Sequence, residues 1–330
     1  MTTRASLELG ATKPLRRDRE KTTTVAYAVS VISCDSSFAS AGFFADALLV
    51  LRHSIHKISS RNPKSSSKYD YNMYVLIHGT DALACIDPIQ KLGFDVIVVD
   101  PPFEIKDLQD DFVRMKMPMT PVYGHHEFMK LHAYNLTEEV FVHVDLDFSF
   151  HKPMDHLFDA ILYDKESAVG RAARDKLELQ RPEEEQYLPD RIEAFITRDW
   201  GQVVPTKGWK SGFQAGFLVA RRDPSIITDV VRTVTTSNYT PGFNQHCGWG
   251  GLGYATFIQG SLTNQGFMAY FYDVIRPNTT VELNACRFNH LGMNTTQSGK
   301  CRDDRETCEQ CRNTSLEDIY SILMIHSSEL

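Results

Sequence analysis

The sequence predicts an α/β protein with a Rossmann-like, mostly parallel sheet and helices on both of its faces. Short apolar runs rich in β-branched residues alternate along the chain with segments whose apolar residues recur at helical spacing. One of these runs, Val140–Val144, has the β-branched and aromatic composition of a buried strand. Asp145 and Asp147 follow it, at the strand end where open α/β sheets bind their ligands.

The individual elements follow from the period of their apolar residues, which is two in a strand and 3.6 in a helix. Strands are predicted at residues 25–33, 73–77, 96–99, 140–144 and 213–219. Helices are predicted at residues 43–58, 83–89, 125–136, 155–163 and 224–234. Residues 107–124 are expected to be irregular, and the glycine-rich residues 242–253 are expected to form a tightly turned loop.

Length and charge limit the kind of protein this is. The 330 residues are predicted to divide into a disordered tail (1–24), one α/β domain (25–285) and a cysteine-rich segment (286–330). A net charge of −7 argues against a general nucleic-acid-binding protein, which would present a basic surface. No apolar run reaches 18 residues, so no membrane-spanning helix is predicted.

Cysteines and glycosylation motifs indicate the cellular compartment in which the protein is expected. Four of the seven cysteines crowd the last 45 residues, and their spacing fits no zinc site, so disulfides are favoured over free thiols or a metal. They are Cys286, Cys301, Cys308 and Cys311. Five asparagines stand in N-x-S/T motifs: Asn135, Asn238, Asn278, Asn294 and Asn313. Both features favour the secretory pathway. Residues 1–24, however, lack the apolar core of a secretion signal, so a cytoplasmic location is the alternative.

The D-x-D motif is the strongest chemical signal in the chain. Asp145 and Asp147 are two residues apart, so both carboxylates can face one point beyond the strand. Carboxylates that converge repel each other unless a cation lies between them, and oxygen ligands of this kind suit Mg²⁺ or Mn²⁺. The alternative is a strand end with two solvated carboxylates in a turn.

The order of several motifs resembles the glycogenin-like nucleotide-sugar glycosyltransferases, glycosyltransferase family 8. The resemblance covers roughly residues 25–271 and includes the first strand and turn at residues 29–38, the Lys130-Leu131-His132 block and the D-x-D strand. It continues in the FQAGFLV strand at residues 213–219 and in the Asn264-Gln265-Gly266 helix start. Each block is short, but all five occur in the family's order.

The resemblance implies a GT-A fold, a UDP-sugar donor, Mn²⁺ or Mg²⁺, and transfer with retention to a carbohydrate or protein acceptor. Asp145 and Asp147 would hold the metal, which would neutralise the leaving diphosphate, and Lys130 would contact donor oxygens. The donor pocket that the resemblance implies is lined by Val31, Ser33, Cys34, Phe38 and Leu146. Residues 165–210, which are charged and include Trp200 and Trp209, are expected to face the acceptor.

The chain departs from the family pattern at the sugar-binding residues. Gln214 stands where the family usually has Asn, and Asn264 stands where it usually has Asp, beside Gln265. Without a carboxylate at position 264, a covalent intermediate there is disfavoured and front-face substitution fits better. The alternative for Asn264 is a helix N-cap.

The sequence near the carboxyl terminus contains two candidates for the third metal ligand and does not decide between them. The resemblance implies a metal-binding histidine there, and His290 and His326 are the two candidates, although neither is followed by the family's Lys-Pro-Trp. This departure, together with Asn264, motivates a second hypothesis, a catalytically silent UDP-sugar-binding or scaffold protein. A nucleotidyltransferase is a third hypothesis, but it would require a glycine-rich basic loop where residues 34–37 read Cys-Asp-Ser-Ser.

Overall fold

The computed structural model describes residues 23–33, 43–79, 83–120, 124–178, 188–198, 211–242, 244–254, 259–291 and 315–323. Its strands are β1 Thr24–Val31, β2 Asp70–His78, β3 Asp95–Val99, β4 Val140–Val144, β5 Phe148–Phe150, β6 Ala194–Arg198, β7 Phe213–Arg221, β8 Tyr239–Thr240, β9 Gly248–Trp249, β10 Thr280–Glu282, β11 His290–Leu291 and β12 Ser321–Leu323. Its α-helices are α1 Phe43–Ile58, α2 Ile86–Lys91, α3 Asp111–Lys116, α4 Asp155–Leu162, α5 Ala168–Glu178, α6 Ser225–Thr236, α7 Asn264–Tyr270 and α8 Ala285–Phe288.

A seven-stranded sheet in the order β10-β6-β7-β4-β1-β2-β3 forms the centre of the molecule. Strand β7 runs antiparallel to both of its neighbours, β4 and β6, and every other adjacent pair is parallel. The predicted mostly parallel α/β class is therefore confirmed. In the sheet, β2 lies on one side of β1 and β4 lies on the other side. This change in the direction in which strands are added opens a crevice beyond the carboxyl ends of β1 and β4.

The two faces of the sheet carry two separate apolar clusters, as expected for helices on both sides. Residues alternate between faces along β4, so Val140, Val142 and Val144 pack with α1 and α4. Phe141 faces the opposite cluster, which contains residues of α6, α7 and a 3₁₀ helix at Gly124–Asn135. His143 lies on this second face by the same alternation.

Two local expectations are wrong, and residues 165–210, for which no element was predicted, contain two. Residues 107–124 are not wholly irregular, because they contain α3 and a 3₁₀ turn at Met117–Met119. Residues 165–210 contain α5 and β6, and β6 is a buried strand of the central sheet. The helix predicted at residues 125–136 exists, with Phe128 and Leu131 buried, but its geometry is 3₁₀ rather than α.

A second, three-stranded sheet continues from the D-x-D turn. It has the order β11-β12-β5, in which Leu323 pairs with Phe148 and His290 pairs with Ile322. Cys286 forms a disulfide, as expected for the carboxyl-terminal cluster, and so does Cys85, for which the sequence predicted no bond. Cys301, Cys308 and Cys311 lie outside the described residues.

The longest helix of the described structure, α1, has 16 residues and is amphipathic. None of the described helices has the length and apolar character needed to cross a bilayer.

We predict that two neighbouring leucines of α1 differ sharply in their contribution to stability. Leu48 is fully buried against the sheet, whereas Leu49 is 44% exposed. Leu48→Ala should lower the free energy of unfolding by about 2–5 kcal/mol, because it leaves a cavity in the core. Leu49→Ala should change it by less than about 0.5 kcal/mol. Urea unfolding of both variants measures the difference, and equal losses would contradict the assigned face of α1.

Candidate active site

The D-x-D turn lies at the mouth of the crevice between β1 and β4. Asp145, Leu146 and Asp147 follow the last residue of β4 and are half-buried. The backbone N–H of Asp145 donates to the carbonyl oxygen of Gly216 at 3.2 Å, which fixes the start of the turn against β7. The carboxylates therefore stand at the sheet edge where the sequence placed them.

Gly216 provides the space that the Asp145 carboxylate occupies. A Cβ atom built on Gly216 would lie 2.6 Å from Asp145 Oδ2 and 2.8 Å from Gln214 Oε1. Gln214 Oε1 also accepts a hydrogen bond from the Gly216 N–H at 2.5 Å. The glycine of the FQAG segment thus allows a carboxylate and an amide to pack directly on the backbone of β7.

The Lys130 ammonium lies between two carboxylates beside the D-x-D turn. Its Nζ is 2.9 Å from Glu127 Oε2, 3.1 Å from Asp145 Oδ1 and 3.5 Å from the carbonyl oxygen of Ala215. Residues three apart eclipse each other in a 3₁₀ helix, which places Glu127 directly beside Lys130. Their side chains are only 11% and 10% exposed, whereas the Asp145 side chain is 40% exposed.

Charge pairing outweighs burial for both members of the Lys130–Asp145 pair. Burial alone would lower the pKa of Lys130, but the carboxylates of Asp145 and Glu127 raise it overall. Burial alone would raise the pKa of Asp145, but the Lys130 ammonium and, secondarily, His143 lower it overall. Lys130 is therefore cationic and Asp145 anionic at neutral pH.

A cavity beside Lys130 is lined mostly by apolar side chains and a few polar ones. The polar side chains that line it are Lys130, Tyr134, His143, Gln214 and Asn264. Asn264 is 8% exposed, and its Oδ1 has no hydrogen-bond partner among the described residues. The N-cap of α7 is Thr263, so the N-cap interpretation of Asn264 is wrong, and Asn264 is the first helical residue instead.

His143 connects β4 to β1 on the cavity side of the sheet. Its Nε2 lies 2.9 Å from Ser30 Oγ, and the residue is 1% exposed. Burial and, secondarily, the Lys130 cation lower the pKa of His143 to about 3, so the ring is neutral at physiological pH. The sequence did not identify His143, because a single histidine within a strand carries no motif.

Three further histidines cluster at the carboxyl ends of β2 and β3. The ring of His126 lies 4.8 Å from that of His78 and 4.2 Å from that of His125, and His78 Nε2 is 3.9 Å from Asp100 Oδ1. Burial, followed by the neighbouring His126 and His78, lowers the pKa of His125 to about 4. No three His, Cys, Asp or Glu side chains within the described residues are grouped so that they could hold a metal ion.

The chemistry of the D-x-D turn nevertheless fits a hard divalent cation that takes few protein ligands. Mg²⁺ and Mn²⁺ are often held by one or two carboxylates, and phosphate oxygens and water complete the shell. His290 lies on β11, two strands and therefore about 10 Å from β5. Its Nδ1 is 3.0 Å from the carbonyl oxygen of Cys286. In metal-binding histidines, a hydrogen bond of this kind at one ring nitrogen fixes the ring so that the other nitrogen can bind the metal.

The structure thus brings together a central group of the residues that the sequence selected. Lys130, Asp145, Gln214 and Asn264 share one region, and Gln265 follows Asn264 as a half-buried residue of α7. Val31 is the last residue of β1, and Ser33 lies two residues beyond it. The predicted residues outside the described part of the chain are Cys34, Phe38, Trp200, Trp209 and His326.

Comparison with known proteins returns glycosyltransferases among solved structures. No protein-family model and no curated protein matches the sequence. Mouse xyloside xylosyltransferase 1 in its apo form is 11% identical, with 92% of this chain and 99% of that chain covered, at a TM-score of 0.44. The galactosyltransferase LgtC in complex with donor and acceptor sugar analogs is 11% identical, with coverages of 92% and 88% and a TM-score of 0.47. The glycosyltransferase GlyE of Streptococcus pneumoniae TIGR4 is 11% identical, with coverages of 93% and 55% and a TM-score of 0.44.

We predict that Gly216→Ala destabilises the protein through the Asp145 carboxylate. The added methyl group would overlap this carboxylate, so the free energy of unfolding should fall by about 1–3 kcal/mol. Combining it with Asp145→Ala should recover part of the loss, with a coupling energy above about 0.5 kcal/mol in a double-mutant cycle. Strictly additive losses in urea unfolding would contradict the contact.

We also predict that His125 makes the fold sensitive to mild acid. Its pKa of about 4 in the folded state lies below the ordinary value of 6.5, so between these values the unfolded chain binds a proton that the folded chain does not. This contribution to stability is complete above pH 6.5 and is lost as the pH falls toward 4. His125→Phe, which keeps the ring beside Phe103, should show a smaller decrease in melting temperature between pH 7 and pH 5 than the wild type.

The exposed Gln90 of α2 provides the control, since Gln90→Ala changes no titratable group and should leave the pH dependence unchanged. An unaltered pH dependence in His125→Phe would contradict the assignment.

Proposed function

We propose that this chain is a metal-dependent glycosyltransferase that moves a sugar from a UDP-sugar to a carbohydrate or protein acceptor, with retention at the anomeric carbon. The observation that carries the proposal is the arrangement of Asp145, Asp147 and Lys130 at the crevice between β1 and β4. Two carboxylates repel a dianionic diphosphate unless a divalent cation lies between them, so this arrangement, with the fixed Lys130 cation beside it, suits a diphosphate bound through a metal ion. The resemblance of the motif order to family 8 supports the same donor class.

A divalent cation held by Asp145 and Asp147 would supply Lewis-acid stabilisation of the leaving diphosphate. Lys130 adds a second positive charge from the protein itself. Glu127 holds the ammonium at 2.9 Å independently of Asp145, so Lys130 keeps its place when the Asp145 oxygens turn to another partner. A preorganised cation of this kind stabilises negative charge that develops in the transition state.

The polar groups around the sugar favour front-face substitution. Asn264 presents an amide to the cavity, and an amide cannot form the glycosyl ester that a covalent mechanism requires. The Oε1 of Gln214 is engaged by the Gly216 N–H. Asn264 and Gln265 then serve to orient the sugar, with Val31, Ser33, Cys34, Phe38 and Leu146 around the donor. His290 or His326 would be the third protein ligand in this proposal, although His290 does not form a metal-binding group with Asp145 and Asp147 within the described residues.

The second candidate is a protein that binds a UDP-sugar without turnover. It is favoured by one observation, the engagement of Asp145 Oδ1 by Lys130, which competes with any metal for that oxygen. This candidate shares the binding site and differs only in the chemical step.

The deciding experiment measures UDP release from a panel of UDP-sugars with Mn²⁺ and again with EDTA. We expect hydrolysis of at least one donor, abolished by EDTA. The variant Asp145→Asn/Asp147→Asn should lower turnover by about 10²–10³-fold, because it removes the charge that holds the metal. Its melting temperature should fall, because Asp145→Asn leaves the buried Lys130 ammonium with Glu127 as its remaining carboxylate, so turnover is compared at a temperature at which both proteins are folded.

Asp87→Asn, on the exposed side of α2, is the matched control and should leave turnover unchanged. Normal turnover in the double variant would contradict the proposed metal site. Thermal stabilisation by UDP and Mn²⁺ without release from any donor would favour the silent protein.

A further inference from the structure

We propose that Asn278 and Asn238 carry N-linked oligosaccharides in the cell and that Asn135 does not. All three stand in N-x-T motifs, so the sequence alone treats them alike. The structure separates them by exposure and by the backbone that carries them. The remaining two motifs, at Asn294 and Asn313, lie outside the described residues.

Asn278 lies at the tip of the turn that precedes β10. It is exposed and has φ +60°, the one positive φ outside glycine in the described part of the chain. Asparagine tolerates this left-handed conformation better than most residues, and it occurs mainly in turns. The side-chain amide makes no hydrogen bond to any described residue. Pairing of Thr280 with Ala194 anchors the following strand, so the turn is presented on a fixed support.

Asn238 lies in the short connection between α6 and β8 and is also exposed. Its carbonyl oxygen accepts a hydrogen bond from the Gly250 N–H at 2.9 Å, which fixes the backbone. The side-chain amide again makes no hydrogen bond within the described structure. A bulky substituent on either amide would extend into solvent without displacing a packed group.

Asn135 has a different setting. It is the last residue of the 3₁₀ helix Gly124–Asn135, and it is half-buried between Tyr134 and Leu136, which are 1% and 4% exposed. The Leu136 carbonyl oxygen accepts a hydrogen bond from Arg222 Nε at 2.6 Å, so this segment is held against the loop after β7. An oligosaccharide at Asn135 would emerge from a packed surface.

The disulfides give an independent reason to expect this modification. Cys85 and Cys286 are both disulfide-bonded. Disulfides persist mainly in oxidising compartments such as the lumen of the endoplasmic reticulum, where asparagine glycosylation also takes place. In that reaction the Asn Nδ2 attacks C1 of a lipid-linked oligosaccharide diphosphate. A C1–N bond forms, the C1–O bond to the lipid diphosphate breaks, and the amide loses one proton.

The two sites lie at different distances from the candidate active site. Asn278 precedes β10, which runs in the same direction as β4, so it lies at the sheet edge opposite the D-x-D turn. Asn238 is tied to Gly250, next to Trp249, whose ring lies 4.9 Å from Phe267 of α7. An oligosaccharide at Asn278 is therefore remote from the site, and one at Asn238 stands at its periphery.

The test uses the full-length protein isolated from its own cells. Peptide N-glycosidase F in heavy-oxygen water converts each glycosylated asparagine to an isotopically labelled aspartate, which peptide mass spectrometry locates. We expect label at Asn278 and Asn238, and unmodified Asn135. Absence of label at either exposed site, or label at Asn135, would overturn the proposal.

Variants in the threonines provide a second readout that keeps both asparagines in place. Thr280→Ala and Thr240→Ala each destroy one motif, and each should increase gel mobility by one oligosaccharide. Thr137→Ala, which destroys the Asn135 motif, should leave mobility unchanged. Unchanged mobility in the first two variants would also overturn the proposal.

Discussion

The site depends on the buried Lys130 ammonium, which lies between the buried Glu127 carboxylate and the partly exposed Asp145 carboxylate. Removing an ammonium and a carboxylate from water costs several kcal/mol per ion, and the cost is recovered only when the geometry satisfies both groups. Three separate elements provide that geometry: the 3₁₀ helix Gly124–Asn135, the end of β4, and the strand β7 with its glycine. Loss of either carboxylate would leave the buried Lys130 ammonium only partly compensated. The fold and the site are therefore constrained by the same contacts.

The topology of the sheet explains why polar groups can gather in this region. Parallel strands β1 and β4 end at the same edge, and β2 and β7 continue the sheet on opposite sides of this pair, which is the strand order that opens a crevice there. His143 and Ser30 join the two strands just below that edge. The cavity that holds Asn264 lies on the same face, because α7 packs against β7 and the 3₁₀ helix there. The crevice is thus rigid beneath its mouth.

Much of this arrangement could be predicted from the sequence. The helix at residues 43–58 was predicted to its last residue because its apolar spacing is regular, and the position of the D-x-D motif followed from the strand before it. The partner of Lys130 could not be predicted, since Asp145 is brought near only by the register of β4 and β7. The sequence contains one indication of the 3₁₀ geometry, which is that the buried residues Phe128, Leu131 and Tyr134 recur at intervals of three. Three such positions also fit an α-helix, so the spacing alone does not distinguish the two. Strand β6 was missed because it lies within a long charged segment. The lack of a partner for Asn264 Oδ1 among the described residues depends on packing that no local pattern encodes.

The most direct test of the central claim is a crystal structure of the protein with Mn²⁺ and UDP, with data collected at the manganese absorption edge. We expect one strong anomalous peak within coordination distance of Asp145 and Asp147, with the diphosphate beside it and Lys130 Nζ within hydrogen-bonding distance of a phosphate oxygen. UDP bound in the crevice with no anomalous peak at these carboxylates, or with the peak at another group of residues, would contradict this claim.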